Sequence, residues 1–330
     1  MMTIQQYLKT FLGLVVLSCM ALSGTVLADS NGRQFLFGSA GVNGVYFPVT
    51  GAICRLMNAY THEHGHECVV VSSGGSVHNL NGLRSNTFRV GIAQSDLHYQ
   101  SYHGEGRFAD QGAHGGLRSM FSVHAEPITI VARRELGAQQ IEELLGRRIN
   151  IGPANSGTNA TFSVLMDAMG LAESDFDSLN TLRPEEQARA LCEDRVDAIV
   201  YTVGHPSSAI ASAISDCDGV LVSIDNEAVD SLISQLPYFR SITLPASLYE
   251  GQDRAVTTFG VGATIVAAAE TEETLVYEMT RRVFENFDDF STLHPALVTL
   301  DRQQMVSDGL TAPLHSGAAR YFREVGLLED

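Results

Sequence analysis

The fold class follows from the segment QFLFGSAGVNGVYFPVTGAICRLMNAYT, residues 34–61. It opens with a short apolar run at 34–38, passes through a glycine-rich turn at 38–44, and continues as a helical pattern over about 48–61. Glycine relieves the backbone constraints of a tight turn, and proline is tolerated in the first turn of a helix. The segment therefore predicts a strand, a loop and a helix, which is the repeating unit of a parallel sheet.

The same order recurs along the rest of the chain. Strand-like runs at 69–71, 89–93, 148–151 and 198–201 are each followed by a polar loop, which contains glycine in all but the second case, and a helical pattern. Alternating strands and helices predict parallel sheets with helices on both faces, an α/β fold. The chain carries two such series, and its 330 residues suffice for two domains of ordinary size.

We expect the two series to form two α/β lobes joined by a pair of crossing hinge strands. The candidates for these strands are the β-branched run 127–133 and the apolar run 259–267. A hinge of this kind needs no Gly/Ser linker, and the chain has none. The first lobe would comprise residues 33–131 plus 265–330, and the second residues 132–264.

The charge balance excludes several functions. The formal net charge is −17, and Lys9 is the only lysine. So acidic a chain repels the phosphate backbone of nucleic acids and anionic membrane surfaces. Because no lysine follows residue 28, P-loop and Schiff-base chemistry are excluded from the mature chain. Any cationic contact to a ligand must then come from Arg or His.

The first 28 residues have the organisation of a signal peptide. Lys9 supplies the positive charge, 11–17 is a short apolar run, and a small-residue cleavage pattern ends at Ala28. Two alternatives stay open, an uncleaved anchor and lipidation at Cys19. We expect residues 1–28 to be cleaved and the mature protein to reside in the periplasm.

Four cysteines follow residue 28: Cys54, Cys68, Cys192 and Cys217. An even number of cysteines in an oxidising compartment favours disulfides. Three pairings are possible, and we favour Cys54–Cys68 with Cys192–Cys217 because each pair is close in sequence and flanks one helix–strand step. Buried free thiols are the alternative.

The candidate ligand site lies in the loops that follow the strands. In open α/β sheets, ligands bind beyond the carboxyl ends of the strands, where helix N-termini present unpaired N–H groups that suit carboxylates. These loops supply hydroxyl, amide, glycine and aromatic groups. The candidate ligand-binding residues are Ser39, Asn43, Tyr46, Ser73, Gly74, Gln94, Ser95, Asn155, Ser156, Gly157, Thr158, Tyr201 and His205.

These candidates also have purely structural interpretations. The turn 155–158, which carries the strongest prediction, could simply cap the following helix. Tyr46 and Tyr201 could pack in the core, and His205 could be a structural histidine with satisfied hydrogen bonds. Asp96 could neutralise a ligand amino group, or equally serve as a helix N-cap.

Signatures of metal sites and enzymes are weak in this sequence. The run THEHGHEC, residues 61–68, is rich in histidine but lacks the HExxH spacing that places two imidazoles on one helical face. The glycines at 38, 41 and 44 resemble a dinucleotide fingerprint without the G-x-G-x-x-G spacing, and no G-x-S-x-G elbow occurs. We therefore expect no catalytic residues, no metal and no cofactor.

Nine segments of the chain match one known family in order and spacing. They are GSAGVNGVYFPVTGAICRLMN (38–58), SSGGSVHNLNGLR (72–84), VGIAQSDLHY (90–99), EPITIVARR (126–134), GRRINIGPANSGT (146–158), VDAIVYTVGHPSSAI (196–210), FGVGATIVA (259–267), ENF…HPA (285–296) and APLHSGAARYFRE (312–324). Together they resemble the TAXI family of TRAP-transporter solute-binding proteins over nearly the whole chain after residue 28. One departure is Ser73, where the family has threonine, and the hydroxyl is kept.

The resemblance implies a type II periplasmic-binding-protein fold with two lobes around a ligand cleft. It also implies capture of a small carboxylate, such as glutamate, 2-oxoglutarate or a related dicarboxylate, and its delivery to a membrane permease driven by an ion gradient. Position by position, ligand contacts fall on Tyr46, Gln94, 156–158 and His205. We expect a monomeric binding protein that is not an enzyme and has no nucleic-acid partner.

Two other functions fit the same fold, since one scaffold hosts many functions. The protein could hand its ligand-bound form to a membrane sensor kinase or receptor instead of a permease. It could also be an enzyme, provided that the cleft held paired acid–base groups. Gene neighbourhood or a pull-down separates the sensor from the transporter component, and turnover of a candidate ligand would reveal an enzyme.

Overall fold

The computed structural model describes residues 33–236 and 238–329 of the chain. The predicted signal peptide, residues 1–28, lies outside this range. None of the helices in the described part combines the length and the apolar character that a membrane crossing needs.

The chain alternates strands and helices, as predicted. The strands are β1 (Arg33–Gly38), β2 (His66–Val71), β3 (Val90–Gln94), β4 (Leu117–Arg133), β5 (Arg148–Asn150), β6 (Ser178–Asn180), β7 (Ala198–Thr202), β8 (Gly219–Val222), β9 (Arg240–Leu244) and β10 (Val256–Ala268). The α-helices are α1 (Tyr46–Asn58), α2 (Thr61–His64), α3 (Ser76–Arg84), α4 (Ser95–His103), α5 (Gly157–Met169), α6 (Pro184–Cys192), α7 (Ser208–Ser215), α8 (Glu227–Gln235), α9 (Glu273–Glu285), α10 (Phe287–Thr292), α11 (Arg302–Met305) and α12 (Ser316–Glu324). Short 3-10 turns occupy Gly106–Gln111, Arg134–Leu136, Ile141–Leu144, Glu173–Asp175 and Pro295–Leu297.

The strands form a sheet in the order β2-β1-β3-β10-β4-β7-β5-β6, with β8 paired to β4 and β9 paired to β10. β1 is parallel to β2 and β3, and β5 is parallel to β6 and β7. β10 is antiparallel to β3, β4 and β9, and β4 is antiparallel to β7 and β8. Two parallel halves therefore flank one antiparallel pair.

That pair, β4 and β10, runs through both halves of the sheet. Gly260 of β10 faces Pro127 of β4, and beyond this point β4 pairs with β7 while β10 pairs with β9. The predicted crossing strands at 127–133 and 259–267 lie within these two strands. The exact lobe boundaries, 33–131 plus 265–330 and 132–264, stay a prediction.

One sequence prediction about β4 is wrong in detail. The sequence indicates separate strands at 117–123 and 127–133, whereas the structure has a single strand of 17 residues. The intervening His124, Ala125 and Glu126 include neither glycine nor proline, and His124 and Glu126 are buried. A turn there would leave buried backbone groups without partners, so the chain stays extended.

The burial of each element explains its pattern. Every residue of β3 and of β7 is buried, as expected for parallel strands covered on both faces. Helix α1 buries Val49, Ile53 and Met57 at four-residue intervals, so one stripe of the helix faces the core. Pro48 lies in its first turn, where the backbone N–H has no partner in the helix.

Both favoured disulfides are present in the structure. Cys54 of α1 is bonded to Cys68 of β2, with their Cα atoms 5.1 Å apart. Cys192, at the end of α6, is bonded to Cys217, just before β8, with Cα atoms 4.6 Å apart. The predicted pairing is therefore confirmed, and each disulfide ties a helix to a neighbouring strand.

Candidate functional site

A cavity of about 910 Å³ lies at the carboxyl ends of β1, β2, β3, β5, β6 and β7. Its wall is built from the loops that leave these strands and from the first turns of the helices that follow. The lining residues are 40–42, 44–46, 72–76, 78, 94, 126, 152–158, 183–187 and 200–203. This is the edge of an α/β sheet at which ligands bind.

Four helices begin at the cavity wall. The first residues of α1, α3, α5 and α6 are Tyr46, Ser76, Gly157 and Pro184, and all four line the cavity. The first four N–H groups of a helix have no partner within the helix, and they carry the positive end of its dipole. The wall therefore presents several independent groups that suit a carboxylate.

The turn before α5 caps that helix and also lines the cavity. Ser156 is the N-cap of α5, and its hydroxyl accepts a hydrogen bond from the N–H of Asn159 at 3.2 Å. The hydroxyl of Thr158 accepts one from the N–H of Thr202 at 3.1 Å, which ties α5 to the end of β7. The capping interpretation is therefore correct for Ser156, although 155–158 also line the cavity.

Gly157 allows this turn to approach the end of β3 closely. A Cβ atom built on Gly157 would overlap the side-chain oxygen of Gln94. Gln94 is buried, and its side-chain nitrogen lies 3.4 Å from the hydroxyl of Thr161 on α5. Only glycine at position 157 leaves room for this contact between the two halves of the chain.

A hydrogen-bonded chain runs along the floor of the cavity. The hydroxyl of Ser76 accepts a hydrogen bond from the N–H of Gln94 at 3.1 Å and lies 3.4 Å from the hydroxyl of Tyr46. Tyr46 donates to Oε2 of Glu126 at 2.6 Å. Tyr46 and Glu126 are both buried, so the floor of the cavity is a tyrosine–carboxyl pair.

Burial controls the protonation of this pair. It raises the pKa of Glu126 to about 8, against the opposing effect of the hydrogen bond from Tyr46, and the nearby Asp96 adds to the rise. Burial, followed by the charge of Glu126, raises the pKa of the Tyr46 hydroxyl well above its ordinary value. Tyr46 therefore stays a neutral donor, and Glu126 titrates near neutral pH.

Asp96 lies behind the floor and outside the cavity lining. It is the second residue of α4 rather than its N-cap, and burial raises its pKa to about 7. Its Oδ2 lies 3.4 Å from the hydroxyl of Thr161. Within the described residues, its other oxygen has no hydrogen-bond partner.

Among the lysine and arginine residues of the described chain, only Arg183 lines the cavity. It precedes α6, whose first turn also brings Glu185 and Glu186 to the wall. With Glu126 on the floor, the lining has three carboxyl groups and one guanidinium. An anionic group of a ligand therefore depends on Arg183, on hydroxyls and on helix N-termini.

The profile of the NMT1-like family matches residues 37–326, most of the chain. The chain belongs to the NMT1-like family. Two solved structures share its fold. MatC from Rhodopseudomonas palustris with bound malate is 13% identical, with a TM-score of 0.55 over 90% of this chain and 99% of that one. A protein of Bordetella bronchiseptica RB50 is 12% identical, with a TM-score of 0.54 over 89% and 98%.

At these identities the likeness concerns the fold alone. Together with the sheet order, it confirms the predicted class of this NMT1-like chain, an α/β fold like that of periplasmic binding proteins.

Nine of the thirteen predicted site residues line the cavity of this NMT1-like protein. The structure brings together groups that are far apart in sequence and that belong to strand ends, to the loops that follow them or to helix starts. They are Tyr46, Ser73, Gly74, Gln94, Asn155, Ser156, Gly157, Thr158 and Tyr201. Whether each of them contacts a ligand stays a prediction.

The structure places Ser39, Asn43 and Ser95 outside the lining. Ser39 is buried, and its hydroxyl accepts a hydrogen bond from the hydroxyl of Thr50 at 2.8 Å. Asn43 is exposed, and its carbonyl accepts from Ser208. Ser95 accepts from the N–H at 262 and lines a separate cavity of about 740 Å³. This placement does not support contacts from these residues to a ligand in the first cavity.

His205 also lies outside the lining and is held by the framework. Its Nε2 lies 2.7 Å from the hydroxyl of Thr129, and its Nδ1 lies 2.5 Å from the hydroxyl of Tyr249. Burial lowers the pKa of His205 to about 4, so the ring is neutral at physiological pH. The structural interpretation of this histidine therefore fits the NMT1-like chain better than ligand binding.

Glu126 and Arg183 are two charged cavity residues for which the sequence predicts no ligand contact. Glu126 belongs to the segment 126–134 that resembles the TAXI family, and Arg183 follows the short strand β6. A signal for Glu126 was present, because it is the only acidic residue of β4 and it precedes a run of apolar positions. A lone buried charge in such a strand indicates a functional site.

The described residues contain no group of three or more His, Cys, Asp or Glu side chains that could hold a metal ion. The histidine-rich run forms α2 and the start of β2. There Nδ1 of His64 accepts a hydrogen bond from the N–H of His66 at 3.1 Å. Glu63 pairs with Arg282 at 2.6 Å, and its other oxygen lies 3.8 Å from Nε2 of His62.

Proposed function

We propose that this protein binds a small carboxylate-bearing solute in the cavity and serves as the periplasmic solute-binding component of a TAXI-type TRAP transporter. The observation that carries the proposal is the convergence of four helix N-termini on one cavity at the carboxyl ends of parallel strands. A helix N-terminus stabilises an anion by about 0.3–1 kcal/mol at the surface and by up to about 2 kcal/mol when partly buried. Several termini together can hold a carboxylate without any lysine.

Specific side chains add to this attraction. Arg183 supplies a planar guanidinium, which matches the geometry of a carboxylate. The half-buried Ser73 and the wall formed by Tyr201 complete a lining that is polar at the loop ends and aromatic on one side. Burial raises the pKa of Tyr201 above its ordinary value, so its hydroxyl stays a neutral donor.

We propose that the two lobes close on the ligand about β4 and β10. Contacts between the proposed lobes support this closure. Gln94 packs against Gly157, and Arg107 donates to the carbonyl of Ala154 at 2.8 Å. A ligand favours the closed arrangement only by making contacts there that the open arrangement lacks.

The transporter assignment rests on the nine segments that resemble the TAXI family. The predicted signal peptide and the two disulfides fit a periplasmic protein, since disulfides persist in oxidising compartments. Solute would then pass from the closed binding protein to a membrane permease.

Binding is tested by thermal denaturation of the purified protein, unfolded and refolded with its disulfides intact to remove bound solute. Ligand at about 100 times the dissociation constant stabilises the fold by about 2.7 kcal/mol. We expect stabilisation by one or more small carboxylates and none by the corresponding methyl ester. No stabilisation by any acid, or equal stabilisation by acid and ester, would overturn the carboxylate site.

Arg183→Gln provides the residue-level test. We expect it to weaken carboxylate binding by about tenfold or more, because it removes the cation of the lining. Arg189→Gln is the matched control, since Arg189 belongs to the same helix region, is 76% exposed and lies outside the lining. For the partner, a pull-down with ligand-bound protein from membranes should recover a permease, and recovery of a sensor kinase would overturn the transporter assignment.

A further inference from the structure

Glu126 is a buried acid without a cation. It is 2% exposed, and no arginine of the described residues lies within 4 Å of its carboxyl oxygens. Among the described residues, its one potential ionic partner is His124, whose Nε2 lies 3.9 Å from Oε1. Burial lowers the pKa of His124 to about 3, so this ring is neutral and supplies no charge. A buried carboxylate is normally paired with a positive group.

Tyr46 donates to the carboxyl group of Glu126, but two other buried acceptors near it lack a hydrogen-bond donor. Within the described residues, the side-chain oxygen of Gln94 and Oδ1 of Asp96 are buried acceptors without a donor. Gln94 lines the cavity beside Glu126, and Asp96 is close enough to raise the pKa of Glu126. Buried acceptors without partners are costly, so a ligand group that donates hydrogen bonds or carries positive charge would stabilise this part of the site.

The rest of the lining offers hydrogen-bond donors and positive charge. The starts of α1, α3, α5 and α6 present N–H donors and positive dipole ends, and Arg183 adds a guanidinium. One cavity thus combines a region that suits an anion with a buried acid that suits a cation. An α-amino acid carries both groups on one carbon atom.

We propose that Glu126 receives the ammonium group of the ligand, so that the cavity takes α-amino acids in preference to 2-oxo acids with the same carbon skeleton. This inference rests on the proposed carboxylate-binding function. The ligand brings the cation that Glu126 lacks, and its carboxylate meets the helix N-termini. A 2-oxo acid would place a carbonyl oxygen there instead, which brings neither a positive charge to Glu126 nor a hydrogen bond to the buried acceptors.

The groups that face Glu126 come from each element around it. They are Tyr46 of α1, His124 of its own strand, Asp96 of α4 and Tyr201 of β7. None of them is positively charged at neutral pH. An arriving ammonium group is therefore the first cation beside this carboxyl group, and it stabilises the ionised form.

The experiment is a calorimetric titration of the refolded protein with matched pairs of ligands at about pH 7. The probes are L-glutamate against 2-oxoglutarate, L-alanine against pyruvate, and L-leucine against 4-methyl-2-oxopentanoate. In each pair that binds, we expect the amino acid to bind about 30-fold or more tightly than the oxo acid, because a buried acid is otherwise left unpaired. This comparison uses the wild-type protein and does not depend on how a variant folds.

The residue is tested with Glu126→Gln, which keeps the acceptor for Tyr46 and removes the charge. We expect it to lose about 30-fold or more in amino-acid affinity, while oxo-acid affinity changes by about threefold or less. Titrations in two buffers of different ionisation enthalpy should show proton release on amino-acid binding by the wild type and a smaller release by the variant. Glu227→Gln, at an exposed position of α8 outside the lining, should match the wild type.

The outcomes separate the two proposals. Oxo acids that bind as tightly as their amino acids, or unchanged amino-acid affinity in Glu126→Gln, would overturn the role of Glu126 and leave the carboxylate site in place. Failure of every acid to bind would overturn the proposed function and this inference with it.

Discussion

The pH dependence of folding offers a direct test of the buried acid on the cavity floor. Glu126→Gln preserves the shape of the side chain and the oxygen that accepts from Tyr46, but removes the ionisable group. In the folded protein, burial raises the pKa of Glu126 from 4.5 to about 8. Between these two values the folded state therefore holds a proton that the unfolded chain has lost.

The sign follows from proton linkage. Stability falls with rising pH wherever the folded state binds more protons than the unfolded state. The contribution of Glu126 is therefore fully present below about pH 4.5 and is lost as the pH rises through about 8. At about 1.4 kcal/mol for each pH unit, this window gives a ceiling of about 5 kcal/mol. Relaxation and water entry lower the cost of burying a charge, so we expect about 2–4 kcal/mol.

The assay is urea denaturation of the ligand-free protein at about pH 5 and about pH 9. The stability of the wild type should fall over this interval by about 2–4 kcal/mol more than that of Glu126→Gln. Asp96, whose pKa burial raises to about 7, is present in both proteins, so most of its contribution cancels in the comparison. Glu227→Gln should follow the wild type. Parallel pH profiles for the wild type and Glu126→Gln would refute the reasoning.

Three further perturbations test other parts of the structure. Thr158→Val should lower the free energy of unfolding by about 1–3 kcal/mol in denaturant titrations, because the buried N–H of Thr202 loses its acceptor, whereas Thr158→Ser should lose less than half of this. Gly44→Ala should weaken ligand binding by about tenfold, because its Cβ atom would overlap the hydroxyl of Tyr201. Adding Tyr201→Phe removes that hydroxyl and should restore most of the affinity. If calorimetric titrations show no rescue, the overlap is not the cause. Replacing both cysteines of the Cys192–Cys217 disulfide by alanine should cost about 3–4 kcal/mol in denaturant titrations, since the bond closes a loop with a sequence separation of 25, and an unchanged midpoint would contradict this.

Much of the fold could be predicted because it depends on local patterns. The segment at 34–61 shows its strand, turn and helix through apolar spacing and glycine content, and the structure has β1 and α1 there. The disulfides could be predicted because each pair spans one helix–strand step. The prediction of two separate strands in place of β4 was wrong. The strand continues across His124 and Glu126 because it pairs with β10, whose residues lie more than 100 positions away.

The candidate site could be predicted only in part, for a related reason. Strand-end loops and helix starts can be recognised locally, and most residues chosen from them line the cavity. The direction of an individual side chain depends on tertiary partners. His205 is held by Thr129 and Tyr249, which lie 76 and 44 positions away, and no local pattern reveals these contacts. Glu126 likewise accepts a hydrogen bond from Tyr46, which lies 80 positions away in the sequence.

The position of β10 in the sheet has a consequence for how the chain is assembled. Residues 90–94 of β3 pair with residues 263–267 of β10. The longest strand, β4, also pairs with β10 along most of its length. A polypeptide emerging amino terminus first therefore presents the edges of β3 and β4 unpaired until about four-fifths of it has emerged. Contacts of such large sequence separation form slowly, because closing a long loop precedes any gain from the contact. The order of synthesis thus delays completion of the sheet and keeps the emerging chain open until its C-terminal part arrives.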